Sequence, residues 1–331
     1  MHSAVMGGAG DIKVFAGSAS KTLAEGVAGY LKLRLGRVEA SRFGDGESCV
    51  QILESVRGCD VYIIQSTAPP VNDSLMELLI MIDAMRRCSA GRITAVIPYY
   101  GYARQDRIAK SRDPISAKLV ADLLTQAGAD RVLSMDLHCP QIQGFFNIPM
   151  DHLQGVVTFL EYYRQNKGDY ADAAVVSTDV GGAARCNVLA DAMDVPLAII
   201  HKRREKPGKS EATHFVGDVC GKHAVILDDV IASGGSLVNA AAILRKNGAA
   251  RVTAFVTHPV LSEDAAENIG NSSIDKLVVL DTIAVPPEKL EKCPKLEILS
   301  VAARFGEVIN RIHGSQSVSA LLSIDEFLGR E

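Results

Sequence analysis

The residues best suited to chemistry lie between Val225 and Ser236, which read Val-Ile-Leu-Asp-Asp-Val-Ile-Ala-Ser-Gly-Gly-Ser. An apolar strand delivers two adjacent carboxylates, Asp228 and Asp229, at its C-terminal end. A turn of small residues, Ala232, Ser233, Gly234 and Gly235, then opens a helix at Ser236. Successive backbone N–H groups in such a turn, together with the helix N-terminus, form an anion cradle. The hydroxyls of Ser233 and Ser236 add donors. Two carboxylates beside a phosphate cradle suit a sugar phosphate: the cradle takes the phosphate, and the carboxylates take ribose hydroxyls or a magnesium ion. The same residues also fit a plain strand-to-helix turn with a serine cap and solvated aspartates. Neither a G-x-x-x-x-G-K-[ST] loop nor a G-x-G-x-x-G run after a strand occurs, which sets aside the two commonest nucleotide-loop motifs.

Five further groups stand out, three of them just after presumed strands. Lys202-Arg203-Arg204 follows an apolar run and precedes glycine and proline. Such a basic loop could close over a transferring phosphoryl group and neutralise its charge; a solvated charge run is the plainer alternative. His138 follows the run ending at Asp136, and Asp179 precedes Gly181 and Gly182. A neutral histidine and a carboxylate on neighbouring strand ends could share a divalent ion, although a loop histidine is more often a surface residue. Arg104-Gln105 follows an aromatic stretch, and Arg42-Phe43-Gly44-Asp45-Gly46-Glu47 lies upstream. An aromatic ring flanked by carboxylates can stack on and hydrogen-bond a base, but Phe43 could equally plug the core.

These groups need a scaffold, and the chain has one written in its period. Short apolar runs alternate with helical segments. The strands are expected at Lys13–Ala16, Val61–Gln65, Ile93–Pro98, Arg131–Asp136, Ala174–Thr178, Leu197–His201, Ala224–Asp229, Val252–Thr257 and Leu277–Leu280. Runs this continuously apolar are buried on both faces, as in a parallel sheet flanked by helices. Helices are expected at Lys21–Leu33, Asn72–Cys88, Ile115–Gln126, Gly182–Ala192, Ser236–Asn247 and Val301–His313. The alternation predicts a doubly wound α/β fold. The segments starting at Asp60 and His223 echo one another as strand, loop, Ser-Leu at a helix, then strand. That echo fits a duplicated domain or simply two βαβ units. If the chain is duplicated, the boundary falls near the loop after Pro149 and the polar stretch Gln165–Asp172. The longest charged, loop-like stretch is Lys202–Thr213.

Composition bounds the rest. The 331 residues suffice for two domains; 47% are hydrophobic and 22% charged, which excludes a disordered or fibrous chain. A net charge of −4 argues against nucleic acid as a partner. No run approaches the length of a membrane helix. The first ten residues lack the basic start and long apolar run of a secretory signal. Seven scattered cysteines, with no C-x-x-C pair, read as reduced thiols in a cytoplasmic protein.

The runs RFGDGES, RITAVIPYYGYARQDR, KSRDPISAKLVADLL, DLHCPQIQGFFNIPMDHL, DVGGAARC, LDDVIASGGS and RIHGSQSVSALL closely resemble the ribose-phosphate diphosphokinase (phosphoribosyl-diphosphate synthetase) family. The likeness runs in order from about Ile12 to Leu322. It implies two similar phosphoribosyltransferase-type domains, each a mainly parallel sheet flanked by helices. Residues 1–155 would carry the adenine turn, ATP contacts and oligomer contacts. Residues 156–331 would carry the sugar-phosphate and basic loops, with the terminal segment returning to the first domain. The implied reaction moves diphosphate from ATP to ribose 5-phosphate, giving 5-phosphoribosyl 1-diphosphate and AMP, with Mg2+ as cofactor.

Residue by residue, the resemblance implies that Asp228 and Asp229 face the ribose hydroxyls and that Ala232, Ser233, Gly234, Gly235 and Ser236 cradle the 5-phosphate. Lys202 and Arg204 would stabilise the transferring group, Arg204 also touching the sugar phosphate. His138 and Asp179 would hold magnesium–ATP, His138 also acting in catalysis. Phe43, Asp45, Gly46 and Glu47 would form the adenine turn, and Arg104 with Gln105 would contact ATP. In the family that turn comes from a neighbouring subunit, so a homo-oligomer is implied, commonly dimers assembled into a hexamer. Ser111, Arg112, Ser317 and Ser319 resemble the region where inorganic phosphate activates and ADP inhibits.

Two departures stand out. The family usually has an acid where this chain has Ala232, and threonine at Ser233 and Ser236. Arg107-Ile108-Ala109-Lys110 replaces a more charged run. Ala232 keeps open a non-catalytic regulatory paralogue within a mixed oligomer. A phosphoribosyltransferase of base salvage is the other alternative, but it would have no use for an ATP-adenine turn.

Overall fold

Each expected apolar run is a strand in the computed structural model, which describes residues 10–203, 212–322, 324 and 328. Two units are formed. The first extends to Gln154 and also takes in Thr282–Ala284 and the segment from Ser300. Its elements are β1 (Ile12–Ala16), α1 (Lys21–Tyr30), β2 (Val38–Arg42), β3 (Ser48–Ile52), β4 (Asp60–Ile64), α2 (Val71–Arg87), β5 (Arg92–Ile97), α3 (Ser116–Ala127), β6 (Arg131–Met135) and β7 (Met150–Leu153). The sheet runs β1-β4-β5-β6-β7 with every pair parallel. All five residues of β4 are buried, as a strand covered on both faces requires. Phe15, Ile63, Leu78, Met81, Ile97 and Val120 join the sheet to α2 and α3 in one core.

The second unit holds Gly155–Asp281 and Val285–Leu299. It contains α4 (Val156–Gln165), β8 (Ala173–Ser177), α5 (Ala183–Met193), β9 (Leu197–Arg203), β10 (Ala212–Val216), β11 (His223–Ile231), α6 (Gly235–Lys246), β12 (Arg251–Pro259), α7 (Ala265–Gly270), β13 (Lys276–Leu280), α8 (Pro287–Lys292) and β14 (Leu296–Leu299). Its sheet order is β10-β9-β8-β11-β12-β13-β14, parallel except for β9 against β10. After β8 the chain adds β9 on one side, then returns to place β11 on the other. That reversal, between β8 and β11, is where open α/β sheets bind ligands, at the carboxyl ends of the strands. The first sheet, by contrast, grows in one direction only, so the doubly wound pattern belongs to the second unit alone.

The helix α9 (Ala302–His313) belongs to the first unit. It buries Phe305, Val308, Ile309 and Ile312, spaced as one face of a helix. Its last residue, His313, has Nδ1 2.8 Å from an Asp60 carboxylate oxygen. Arg92 Nε donates to the same carboxylate at 2.7 Å and the Tyr62 hydroxyl at 3.0 Å. Burial alone would raise this carboxyl's pKa; the hydrogen bonds from Arg92 and His313 outweigh it and hold Asp60 below the ordinary value.

Several sequence expectations need correction. The loop after Pro149 is instead β7, the edge strand of the first sheet. The stretch Lys202–Thr213 is strand at both ends: Thr213 pairs with Lys202 and Ala212 with Arg203. Gln165 ends α4, and a short 3-10 turn spans Lys167–Tyr170 within the stretch read as polar connection. His138 and Asp179 do not follow neighbouring strands of one sheet. They follow β6 and β8, strands of different sheets, because β7 closes the first sheet before the second begins.

Candidate active site

β11 enters its C-terminal end with Leu227 buried and Asp228 half-buried. Asp228 Oδ1 accepts the Asp229 backbone N–H at 2.9 Å, and Oδ2 accepts the Thr178 hydroxyl at 3.2 Å. Thr178 follows β8, the strand beside β11. The Asp229 carboxylate is buried, and Arg185 Nη1 from α5 lies 3.4 Å from its Oδ1. Burial first, then the Asp229 charge beside it, pushes the Asp228 carboxyl up to about 7. The strand end therefore presents two unlike carboxyl groups: Asp229 faces a guanidinium, whereas Asp228 resists ionisation near neutral pH.

The turn that follows is anchored from behind. The Leu261 and Ser262 N–H groups donate to the carbonyls of Ile231 (3.0 Å) and Ala232 (2.9 Å). Gly234 has φ +75°, and a Cβ there would lie 3.2 Å from Ile269 side-chain atoms. Both facts call for glycine. Gly234 O accepts the Val238 N–H at 3.0 Å, starting α6. The first N–H groups of a helix have no intrahelical acceptor. Here they belong to a turn whose Ser233, Gly235 and Ser236 are exposed. Such a turn can take an anion next to the two carboxyl groups. Ala232 is half-buried, with a side chain that adds no donor or acceptor.

Asp179, on the neighbouring β8–α5 turn, is exposed. Its Oδ1 accepts the Gly182 N–H at 2.8 Å, closing the start of α5, and its carbonyl accepts the Ser177 hydroxyl at 2.7 Å. Lys202 lies on β9, the strand on the other side of β8. Arg204 lies outside the described residues, as does the side chain of Lys202.

The first unit holds the other candidates. Asp136 is buried with φ +38°, an uncommon backbone for a residue with a side chain, and it turns the chain toward exposed His138. The Leu137 N–H donates to His152 Nε2 at 2.9 Å, and Cys139 Sγ donates to Asp106 Oδ2 at 3.0 Å. Burial, with the Asp106 hydrogen bond adding to it, pushes the Cys139 thiol up. Arg104 and Gln105 are exposed; Gln105 Oε1 accepts the Ser116 hydroxyl, and its carbonyl accepts the Ala117 N–H at the start of α3.

Phe43, Asp45, Gly46 and Glu47 form the turn of an antiparallel hairpin, β2 against β3. The Phe43 N–H donates to the Glu47 carbonyl and the Gly46 N–H to the Phe43 carbonyl, both at 2.9 Å; Asp45 Oδ1 accepts the Glu47 N–H. Gly46 sits at φ +96°. Phe43 is 57% exposed, so it is not a core plug; its ring stands free on a fixed turn. Ser111 and Arg112 lie on an exposed turn, Arg112 at φ +74°. Ser317 and Ser319 have hydroxyl oxygens 3.2 Å apart, beside a contact from Arg311 to the Ser317 carbonyl.

Comparison with known proteins supplies the context. Residues 12–128 match the family described as the N-terminal domain of ribose phosphate pyrophosphokinase, and residues 203–323 match the phosphoribosyl synthetase-associated domain. The ribose-phosphate pyrophosphokinases of Clostridium tetani and Clostridium perfringens are each 53% identical to the chain over 94% of its length and 97% of theirs. The chain belongs to the ribose-phosphate pyrophosphokinase family. The crystal structure of phosphoribosylpyrophosphate synthetase from Mycobacterium smegmatis superposes with a TM-score of 0.87 at 42% identity, covering 92% of this chain and 99% of that one. Family membership covers both units, so the β11–α6 turn of the second and the hairpin turn of the first belong to one enzyme. Thr178 and Arg185 are site neighbours that motif reading missed. Each follows the strand that lies beside β11, and Arg185 lies within the run DVGGAARC without having been given a role there.

Proposed function

We propose that the chain is a ribose-phosphate diphosphokinase that converts magnesium–ATP and ribose 5-phosphate into 5-phosphoribosyl 1-diphosphate and AMP. The observation that carries this reading is the intact turn from Asp228 to Ser236, within a chain related over nearly its whole length to such enzymes. The sugar's 1-hydroxyl attacks the β-phosphorus of ATP. A new oxygen–phosphorus bond forms, the bond to the α-phosphate oxygen breaks, and AMP leaves. Phosphoryl chemistry of this kind asks the protein mainly for positioning and charge neutralisation.

Asp228 and Asp229 orient the ribose hydroxyls, and the backbone from Ala232 to Ser236 holds the 5-phosphate. A backbone cradle does not depend on an acid at position 232, so Ala232 is compatible with catalysis. Lys202 and Arg204 neutralise the migrating diphosphate. Phe43 stacks on adenine, with Asp45, Gly46 and Glu47 reading its edge, while Arg104 and Gln105 bind the triphosphate. An exposed hairpin turn is well placed to serve a neighbouring copy, which fits a homo-oligomer of dimers assembled into a hexamer. Inorganic phosphate and ADP would act as effectors at Ser111, Arg112, Ser317 and Ser319.

The residues present fit magnesium. Among the described residues no group of three or more His, Cys, Asp or Glu could hold a metal. Magnesium on a nucleotide usually takes one or two protein groups and fills its shell with phosphate oxygens and water. Exposed His138 in the first unit and exposed Asp179 in the second each offer such a group. When bound, the ion offsets charge on the triphosphate. No helix among the described residues is long and apolar enough to cross a membrane, and a cytoplasmic setting suits the reaction. AMP formation by the purified chain, measured with and without ribose 5-phosphate, tests the proposal; AMP that does not depend on the sugar would refute it.

A further inference from the structure

The two carboxyl groups at the end of β11 are not self-supporting. Adjacent residues of a strand point to opposite faces, yet both Asp228 and Asp229 meet groups from the same neighbouring segment. Thr178, just after β8, donates to Asp228 Oδ2. Arg185, three residues into α5, faces Asp229 Oδ1 at 3.4 Å. The segment itself is fixed at both ends: Asp179 caps the Gly182 N–H, and Cys186, buried next to Arg185, directs its Sγ at the Leu227 carbonyl of β11 at 3.5 Å. The base of α5 is thereby held against the strand that carries the carboxyl pair.

We infer that Arg185 is a positioning residue for ribose 5-phosphate: it holds Asp229 in the orientation that accepts the sugar hydroxyls, while Thr178 does the same for Asp228. This rests on the reading of the β11 turn as the sugar-phosphate site. A carboxylate facing a guanidinium has its rotamer restricted before the sugar arrives, which lowers the ordering cost of binding. Without the cation, Asp229 loses the partner on α5 that fixes its orientation.

What Arg185 orients is the Asp229 carboxylate for a hydrogen bond from a sugar hydroxyl, and a hydrogen bond to a charged group contributes roughly ten- to hundredfold in an equilibrium constant. Arg185→Met, which keeps the aliphatic stem and removes the charge, should therefore raise KM for ribose 5-phosphate at least about tenfold. KM for ATP should stay near that of the parent, and any fall in melting temperature should be shared by the two substrates' assays while the rise in KM is confined to the sugar. Arg185→Lys should recover most of the loss. Thr178→Val should give a smaller rise of the same kind. The experiment is steady-state AMP release with each substrate varied in turn, alongside thermal melts. Unchanged KM for the sugar in Arg185→Met would overturn the inference. So would equal rises for both substrates or a fall in kcat alone. A parent protein that releases no sugar-dependent AMP would instead refute the proposed function, so the two failures are distinct.

Discussion

Replacing Asp228 with asparagine should make the ligand-free protein more stable and the enzyme worse. The carboxyl group is pushed from an ordinary value of 3.8 up to about 7 by burial and by Asp229. A raised carboxyl pKa means the unfolded chain ionises first. The penalty on the folded state is absent below the unfolded value, grows as pH rises through the window between the two, and is constant above the folded value. With 1.36 kcal/mol per unit, the penalty is about 2 kcal/mol near pH 5.5, about half the window, and about 4 kcal/mol near pH 8.5. The substituted amide would keep its oxygen as acceptor for the Asp229 N–H, would donate from its NH2 to the Thr178 hydroxyl once that rotates, and would carry no charge. Urea unfolding of parent and Asp228→Asn, followed by circular dichroism, should show a stability gain about 2 kcal/mol larger at the higher pH. The same variant should lose roughly ten- to hundredfold in kcat/KM for ribose 5-phosphate, the loss expected for one charged hydrogen bond. A gain independent of pH, or a loss of stability at high pH, would refute the electrostatic reasoning.

Gly234→Ala places a side chain at φ +75° and 3.2 Å from Ile269; it should cost about 1–2 kcal/mol in stability and weaken ribose 5-phosphate binding measured by calorimetry. Lys202→Ala should lower kcat far more than it raises KM for ATP, because a cation over the migrating group acts mainly in the transition state; equal effects on both would remove it from that role. Asp60→Ala leaves Arg92 and His313 facing a cavity with no counter-charge and should destabilise the protein by about 3–5 kcal/mol in chemical denaturation, with the sugar KM unchanged. Ala232→Asp should tighten sugar-phosphate binding or alter the magnesium requirement; no change in either would show that an acid at this position is dispensable.

The parts of the fold legible in the sequence were those where burial writes a pattern. β4 and β11 are apolar without alternation because both faces are covered, and both were evident from composition alone. The hairpin of β2 and β3 was not, because its residues are half-buried or exposed and Val-Glu-Ala-Ser-Arg, though it alternates, has no large apolar residue after Val38. α4 was missed for the opposite reason: seven of its ten residues are buried, so no polar stripe marks a helical period. At the site, the Asp228–Ser236 run could be read as a carboxylate pair and a cradle, because chemistry and chain order coincide there. Arg185 and Thr178 could not, since β8 becomes the neighbour of β11 only once β9 and β10 have been laid down on the far side. The raised pKa of Asp228 likewise comes from tertiary burial, which two adjacent aspartates in a sequence do not reveal.

The most direct measurement is nucleotide release by the purified chain alone, supplied with ATP, magnesium, inorganic phosphate and ribose 5-phosphate. Diphosphoryl transfer predicts AMP in equal amount to 5-phosphoribosyl 1-diphosphate, with none formed when the sugar is withheld. ADP in place of AMP, or no reaction while both substrates still bind, would contradict it.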